Sequence, residues 1–422
     1  MTGPVAVALD VGTATTRIAL SQPSGVPVVE SRPTPRGDLA VFLSKLLESG
    51  RKRAPGTISR TTVTVPESWL DGTPHGIRAY ERLRWTLLEE LGWPDVGWVS
   101  QAACVAADAL ARAGRPAEGS VLVCDLGART TGAALCSAAD GTVRVTSVAV
   151  AEGGGRAFDT AVAASAADLP STPGPAPSSA TTVGPTAGFA EMFEGARARH
   201  GRRAAVVLPR AWSHPRYRDA PVYRVGDIDV TAGKLISAFA ATATALKSVV
   251  SRVLADSAPP ATIAVAGKFG VFPLVSRVIM DEFAPPEPPL VLGPAAAVRG
   301  ALRIAAGGME VAGPEHPSVV LPLHRLRHGL LEVREVPLDP AAEFAVQDGY
   351  AVLVEVPAEG PKLFAVKVDG ADVPVRLPGL APGRYRVGLR PSHACPGVLV
   401  LAPAAGGEPR HYPIDPDGTG QK

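Results

Sequence analysis

A short apolar run that ends in an aspartate and continues into a glycine/threonine turn occurs twice in this 422-residue chain. The first copy, from Val5, reads VAVALDVGTATTRIAL, and the second, from Val121, reads VLVCDLGARTTGAAL. A glycine-containing turn between two apolar runs predicts a β-hairpin. Because Asp10 and Asp125 occupy the same place in the two hairpins, we expect a fold in which one α/β plan is present twice.

Each of these turns also carries the groups that bind phosphates. Glycine lets a backbone amide approach an anion closely, and threonine adds a hydroxyl donor. Aspartate supplies the oxygen ligands that Mg²⁺ prefers, directly or through water. One such turn is also found in ordinary hairpins, so the repetition is what favours phosphate binding. The pair predicts a nucleotide site between the two turns.

The rest of the N-terminal region alternates predicted helices with predicted strands. Helices are expected at 77–91, 101–113, about 188–200, 231–256 and 293–306, and strands at Ala204–Leu208, Val222–Val225 and Thr262–Ala266. A Pro/Ser/Thr/Gly-rich stretch at 169–188 predicts a flexible insertion. Together these segments predict a nucleotide-binding domain over residues 1–308.

The character of the sequence changes after this domain. A linker is predicted at 309–317, and short alternating β-type runs over 318–416 predict an all-β, sandwich-like domain that ends in a disordered tail at 417–422. The Asp-Gly pairs at 348–349 and 369–370 favour tight hairpin turns. The sequence LAPGRYRV, at 380–387, is typical of a tyrosine corner in β-sandwiches.

Composition excludes several classes of protein. A formal net charge of +2 argues against nucleic acid or an anionic membrane as a partner. We find no apolar run as long as a membrane helix needs, and the N-terminal segment does not have the pattern of a signal peptide. The four cysteines lack the spacing of metal ligands and are interpreted as reduced thiols. A cytoplasmic protein is therefore expected.

The two turns resemble the first and second phosphate loops of the actin, sugar kinase and DnaK-type (heat shock protein 70) chaperone superfamily. The adenosine loop of these proteins is similar to AVAGKFGVFPLVSRVI, which begins at Ala264. Three segments favour the chaperone branch: TVPESWLDG from Thr64, VSQAACVAADAL from Val99 and EGGGRAFDTAV from Glu152. The resemblance covers about residues 4–306.

This resemblance implies an actin-like two-lobed ATPase fold. Two ribonuclease H-like α/β lobes would close on ATP or ADP with Mg²⁺, and a C-terminal all-β domain would follow. Asp10 and Asp125 would be the carboxylates on the metal side, and Thr130 would act with them in catalysis. The nucleotide would be contacted by Gly12, Thr13, Thr15, Gly127, Thr131, Gly154, Gly155, Glu194, Arg197, Gly267 and Lys268.

Several positions depart from the family pattern. The lysine that assists water attack in the chaperones has no counterpart, because Lys45 and Lys52 fall in no comparable context. Gln101 stands where the family has a glutamate, and Gly132 stands where it has a second aspartate. Lys268 replaces an adenosine-loop glycine. These departures predict nucleotide binding with slow or degenerate ATP hydrolysis.

The resulting hypothesis is an ATP-binding, Hsp70-like protein. Nucleotide-dependent lobe closure would regulate the binding of another protein or a peptide by the C-terminal β domain. Three alternatives in the same superfamily stay open. One is a sugar or acyl kinase, for which no catalytic-base motif stands out. The others are a filament-forming or scaffold protein, and a pseudo-ATPase that uses nucleotide only to set its shape.

Overall fold

The chain divides into two compact units. The computed structural model describes residues 4–22, 25–35, 37–70, 73–93, 96–113, 119–167, 185–199, 201–255, 257–312, 318–327, 330–340, 342–347, 349–390, 392 and 395–415. Unit 1 comprises Met1–Thr64 and Leu91–Ala312, and unit 2 comprises Val65–Glu90 and Gly313–Lys422. The predicted tail at 417–422 and most of the predicted insertion at 169–188 lie outside the described residues.

The elements of the N-terminal region alternate between strands and helices. Up to residue 113 they are β1 (Pro4–Val11), β2 (Thr15–Leu20), β3 (Val28–Pro33), α1 (Leu39–Arg53), β4 (Thr57–Val65), α2 (Pro74–Trp85), β5 (Val96–Ser100) and α3 (Gln101–Ala113). They continue with β6 (Gly119–Leu126), β7 (Thr130–Ala139), β8 (Thr142–Glu152), α4 (Gly155–Ala167), α5 (Pro185–Arg199), α6 (Gly201–Ser213), β9 (Pro221–Val225), β10 (Ile228–Thr231), α7 (Ala232–Leu254), β11 (Thr262–Ala266), α8 (Pro273–Phe283), β12 (Leu290–Gly293), α9 (Ala296–Ala305) and β13 (Glu310–Val311).

Two sheets of mixed strand orientation form unit 1. The first has the order β3-β2-β1-β4-β5, and the second has the order β8-β7-β6-β11-β12, with β13 added beside β8. In each sheet the central strand runs antiparallel to the strand that follows it and parallel to the strand on its other side. The mixed α/β character expected from the sequence is confirmed, and the two sheets share one strand order.

Helices α3 and α9 pack against both sheets. Alanine-rich faces of these helices share one core with the second sheet and another with the first. They approach closely at Gly300, where a Cβ atom would lie 1.7 Å from the backbone oxygen of Cys104. The buried carboxylate of Asp108 accepts a hydrogen bond from Arg299 Nη2 at 2.7 Å and ties the two helices together. Among the described residues, no helix combines the length and apolar character needed to cross a bilayer.

Three segments differ from what the sequence predicts. The predicted strand Ala204–Leu208 is wrong, because these residues lie in α6; the buried residues Ala204, Leu208 and Ala211 recur at helical spacing and form one apolar face. Helix α5 begins at Pro185, inside the predicted insertion. Strand β13 lies within the predicted linker and pairs in parallel with β8.

Unit 2 contains the all-β region that the sequence predicts. Its strands are β14 (Val319–Arg327), β15 (Leu330–Pro337), β16 (Val346–Gln347), β17 (Tyr350–Ala351), β18 (Leu353–Val356), β19 (Leu363–Val368), β20 (Ala371–Arg376), β21 (Gly383–Arg390), β22 (Val398–Pro403) and β23 (Arg410–Pro413). The four-stranded sheets β15-β14-β19-β20 and β18-β21-β22-β23 contribute to one apolar core.

Two local predictions in this region are confirmed. Asp369 and Gly370 both have positive φ angles, and they connect β19 to β20 as a two-residue hairpin turn. The hydroxyl of Tyr385 donates a hydrogen bond of 2.8 Å to the backbone oxygen of Ala381, as a tyrosine corner requires.

The segment Val65–Glu90 belongs to unit 2, although its chain neighbours on both sides belong to unit 1. Its helix α2 is capped by Thr73, whose hydroxyl accepts a hydrogen bond from the backbone of Gly76. Glu81 of α2 accepts a hydrogen bond from the buried side chain of Arg390 at the end of β21. Arg84 and Glu343 form a second, longer ion pair of 4.0 Å. Charged contacts therefore attach α2 to the β domain within unit 2.

Candidate functional site

The two glycine/threonine turns have the same backbone geometry. Gly12 N donates a hydrogen bond to Thr15 O at 3.1 Å, and Gly127 N donates one to Thr130 O at 3.0 Å. Each turn follows the central strand of its sheet. Thr13 is exposed in the first turn. The predicted equivalence of the two turns therefore extends to their hydrogen bonding.

Two threonine hydroxyls of this region are used within the protein. Thr131 is buried, and its hydroxyl donates a hydrogen bond of 2.6 Å to Gly153 O. In the first turn, Thr34 Oγ1 donates one of 2.6 Å to Gly12 O. The hydroxyl of Thr131 therefore holds the Gly153 loop against the second turn, and its nucleotide contact stays a prediction.

The second turn is surrounded by the other predicted glycines. Gly155 N donates a hydrogen bond of 3.0 Å to Gly127 O, and a Cβ atom on Gly154 would lie 2.6 Å from the same oxygen. Gly267 has a φ of +86°, and a Cβ atom there would lie 2.3 Å from Leu126 O. Only glycine satisfies these close approaches. The structure therefore brings Gly127, Gly154, Gly155 and Gly267 into one group, which we call the glycine cluster.

Asp10 is buried at the end of β1 and bonded by two protein donors. Its Oδ1 accepts a hydrogen bond from Thr64 Oγ1 at 3.0 Å, and its Oδ2 accepts one from Arg17 Nη1 at 3.2 Å. Burial raises the pKa of Asp10 above its ordinary value, and the charge of Arg17 opposes the shift. Arg17 was not singled out from the sequence. Its place directly opposite Asp10 follows once the hairpin register is known.

Asp125 has a different environment from Asp10. Its Oδ2 accepts a hydrogen bond of 3.0 Å from the side-chain amide of Gln101, the first residue of α3. Gly132 lies opposite Asp125 in the pairing of β6 with β7. A Cβ atom on Gly267 would lie 2.5 Å from Asp125 Oδ1, so this carboxylate lies beside the glycine cluster.

Mg²⁺ does not fit the carboxylate of Asp10 in this arrangement. Each oxygen of Asp10 already accepts a hydrogen bond, one from Thr64 and one from Arg17, and the guanidinium of Arg17 offsets the carboxylate charge that would attract a metal ion. Within the described part of the chain, no group of three or more His, Cys, Asp or Glu side chains is arranged to hold a metal ion. Asp10 and Asp125 therefore lie at the ends of corresponding strands, where Asp10 is bonded by a guanidinium and a hydroxyl, and the partners of Asp125 include the amide of Gln101.

The residues assigned to the adenosine side form two ion pairs. Lys268 Nζ lies 2.5 Å from Glu194 Oε1, and Arg197 Nη2 donates a hydrogen bond of 3.0 Å to Asp159 Oδ2. The guanidinium carbon of Arg197 lies 5.1 Å from the ring centroid of Phe269, within the range of a cation–π interaction. The structure thus brings Glu194, Arg197 and Lys268 together, and their contact with a nucleotide stays a prediction.

Asp159 is a residue of this group that the sequence analysis missed. It lies on the apolar helix α4, and an acidic residue on such a helix is the signal that could have identified it. Among the described residues, Asp159 Oδ1 and Arg197 Nε are buried without a hydrogen-bond partner. Burial raises the pKa of Asp159 to about 6, although Arg197 and Lys268 oppose the shift and Glu194 adds to it. Burial raises the pKa of Tyr223 to about 12; the charge of Arg197 opposes this shift and Asp159 adds to it.

We expect the stability of unit 1 to depend on pH through Asp159. The folded protein keeps the proton of Asp159 up to about pH 6, whereas the unfolded chain releases it near the ordinary pKa of 3.8. The contribution of this group therefore falls as pH rises through this window, by at most about 3 kcal/mol, and is constant above it. The check is the free energy of unfolding of wild type minus that of Asp159→Asn at several pH values. A difference that is flat, or that grows with pH, contradicts the assignment.

Cys124, which precedes Asp125 on β6, is part of the core. It is fully buried, and burial raises its pKa to about 12. A thiol of this kind does not form the thiolate that nucleophilic chemistry needs near neutral pH.

In comparisons with known proteins, no protein-family model matches this chain, and no curated protein matches it either.

Proposed function

We propose that unit 1 is an actin-like, two-lobed nucleotide-binding domain of the Hsp70 type and that it binds ATP or ADP. The observation that supports this most strongly is the repeated plan of its two sheets. Both have the same strand order, and in both an aspartate-glycine-threonine turn follows the central strand and is closed by the same backbone hydrogen bond. A phosphate chain between two such turns would meet backbone amides and threonine hydroxyls from both sides.

Each part of the site has a separate role in this proposal. The glycine cluster packs the second turn tightly against the neighbouring loops, because a side chain at Gly154 or Gly267 would collide with backbone, and the phosphates would lie against this backbone. The hydroxyls of Thr13 and Thr130 would donate to phosphate oxygens. Arg197, whose guanidinium lies over the buried ring of Phe269, would form the wall nearest the adenine, since a guanidinium can stack on a base.

Hydrolysis by this site is proposed to be slow. Fast phosphoryl transfer needs groups that orient water and stabilise charge on the transferred phosphoryl group. Around Asp125 the structure offers the neutral amide of Gln101 and the bare backbone of Gly132. Loss of one such charged group typically lowers the rate about a hundredfold or more. Nucleotide binding is therefore the function that we assign first, and ATPase activity is secondary.

Unit 2 is proposed to be the partner-binding part of the protein. Its β domain exposes apolar side chains on several strands, namely Leu331, Val333, Val346, Tyr350, Leu353 and Leu363. Strand β4 continues from Thr64, which bonds Asp10, directly into the segment Val65–Glu90 of unit 2. This covalent continuity gives the nucleotide site a route to influence the partner, which we propose to be another protein or a peptide.

Calorimetry with ATP and ADP tests the proposed function. We expect both nucleotides to bind and to raise the unfolding temperature, since ligand at a hundred times its Kd stabilises the folded state by about 2.7 kcal/mol. Thr130→Val should weaken binding, because it removes a hydroxyl that we propose donates to phosphate oxygens. Thr57→Val is the matched control, because Thr57 is exposed at the start of β4.

The same preparation separates the remaining alternatives. We expect ATP turnover below roughly one per second, the lower end of ordinary kinases. Fast transfer of the phosphoryl group to a sugar or a carboxylate would replace the proposal with a kinase. Nucleotide-dependent sedimentation would replace it with a filament. If neither nucleotide binds or stabilises the wild-type protein, the proposed function is wrong.

A further inference from the structure

Arg17 is the main difference between two hairpins that otherwise match. The pairing of β1 with β2 places Arg17 directly opposite Asp10. The pairing of β6 with β7 places Gly132 opposite Asp125, so the second hairpin has no side chain at the corresponding point. The first carboxylate thus has a positively charged side chain directly across the hairpin, and the residue at the corresponding point of the second hairpin is a glycine.

The ion pair of Arg17 and Asp10 is largely removed from solvent. Nη1 of Arg17 lies 3.2 Å from Oδ2 of Asp10, and the side chains are 11% and 4% exposed. Arginine keeps its charge in such surroundings, because its guanidinium does not deprotonate in proteins. One hydrogen bond to Asp10 does not exhaust the five N–H donors of the group, and their planar arrangement suits phosphate oxygens.

A guanidinium at this position competes with a divalent cation for the same carboxylate and the same phosphate oxygens. Both neutralise phosphate charge, and both are attracted to a carboxylate. Arg17 offsets the charge of Asp10 that would attract a second cation, while its other N–H donors can still bond phosphate oxygens. Thr64 donates to the other oxygen of Asp10, so a metal ion at this carboxylate would compete with a protein donor on each oxygen.

We propose that Arg17 takes the charge-neutralising role that the resemblance assigns to Mg²⁺, so that unit 1 binds nucleotide phosphates without a divalent cation. The inference rests on the proposed function, because it presupposes a nucleotide at the first turn. Arg17 is therefore a phosphate-binding residue and sets the metal dependence of the site. Phosphate binding by Arg17 neither forms nor breaks a bond to phosphorus.

ATP binding measured by calorimetry in excess Mg²⁺ and in excess EDTA tests this role. For wild type we expect Kd values that agree within about threefold in the two conditions, less than the factor of ten that corresponds to 1.4 kcal/mol. Arg17→Gln should weaken binding in EDTA about tenfold or more, the effect of losing one charge-assisted hydrogen bond. Arg17→Lys keeps the charge and should retain most of the affinity. Arg32→Gln, at an exposed arginine of β3, is the matched control and should bind as wild type does.

The outcomes distinguish this inference from the proposed function. If Mg²⁺ strengthens wild-type binding about tenfold or more, or if Arg17→Gln binds in EDTA as tightly as wild type, the inference is overturned while nucleotide binding stands. If wild type binds no nucleotide in either condition, the proposed function fails as well. Arg17→Gln leaves the buried Asp10 unpaired and can fail to fold. The double variant Asp10→Asn/Arg17→Gln removes both charges and should also bind more weakly than wild type in EDTA.

Discussion

Replacing Arg390 with methionine is expected to lower the free energy of unfolding of unit 2 by about 3 kcal/mol or more, the usual effect of breaking a buried ion pair. Arg390 is only 4% exposed and donates to Glu81 of α2. Its Nη1 also donates to the backbone oxygens of Glu343 and Leu389 at 3.0 Å. Methionine fills a similar volume but leaves the carboxylate and these oxygens without their donor.

Hydrogen exchange of peptides from β21 and β22 is the measurement suited to this change, because the unfolding of a chain with two compact units need not be two-state. Arg384→Met is the matched control, since Arg384 is exposed on the same strand. The double variant Glu81→Leu/Arg390→Met should recover part of the loss, because an apolar pair leaves no charge buried alone. Exchange in Arg390→Met that equals wild type would show that the ion pair contributes nothing to unit 2.

Gly267→Ala is expected to remove nucleotide binding and to destabilise unit 1 by roughly 2–5 kcal/mol. The added Cβ atom would lie 2.3 Å from Leu126 O and 2.5 Å from Asp125 Oδ1, at a φ of +86°. The left-handed backbone accounts for about 1–2 kcal/mol and the collision for about 1–3 kcal/mol. Because both contacts lie at the end of β6, any relaxation moves Asp125 and the second turn away from their present geometry.

Gly141→Ala separates the two contributions to the destabilisation of Gly267→Ala, namely the left-handed backbone and the collision of the Cβ atom. Gly141 has a φ of +74° in the turn between β7 and β8, and a Cβ atom there meets nothing within 4 Å. We expect this control to be destabilised by the backbone effect alone, about 1–2 kcal/mol, with nucleotide binding unchanged. Thermal unfolding with and without ATP gives both quantities. If Gly267→Ala binds ATP as tightly as Gly141→Ala does, the glycine cluster does not lie at the phosphates.

Features that depend on neighbouring residues could be predicted from the sequence. The two hairpins, the Asp369-Gly370 turn and the Tyr385 corner each rest on a few consecutive residues with defined backbone requirements. The region Ala204–Leu208 was predicted wrongly because Val206 and Val207 favour a strand locally. These residues form a helix instead, because a helix buries Ala204, Leu208 and Ala211 together on one face.

Within the candidate site, the sequence identified individual residues better than their partners. Glu194, Arg197 and Lys268 were named together and are found together. The pairing of Arg197 with Asp159 joins residues on α5 and α4, so no local pattern reveals it. Arg17 is closer in sequence, since an antiparallel hairpin that pairs Val11 with Thr16 must also pair Asp10 with Arg17. Predicting Arg17 as the partner of Asp10 therefore requires only the register of the two strands.

The membership of Val65–Glu90 in unit 2 means that the C-terminal β domain is not a detachable module. The chain passes between the units three times, at Thr64–Val65, Glu90–Leu91 and Ala312–Gly313. A protein truncated at the last of these points keeps α2 but loses Arg390, the residue that binds Glu81. A fragment that begins there keeps Arg390 but loses Glu81. Cutting the gene at this boundary therefore yields two incomplete products, and exchanging the β domain for another requires replacing a helix from the first quarter of the chain with it.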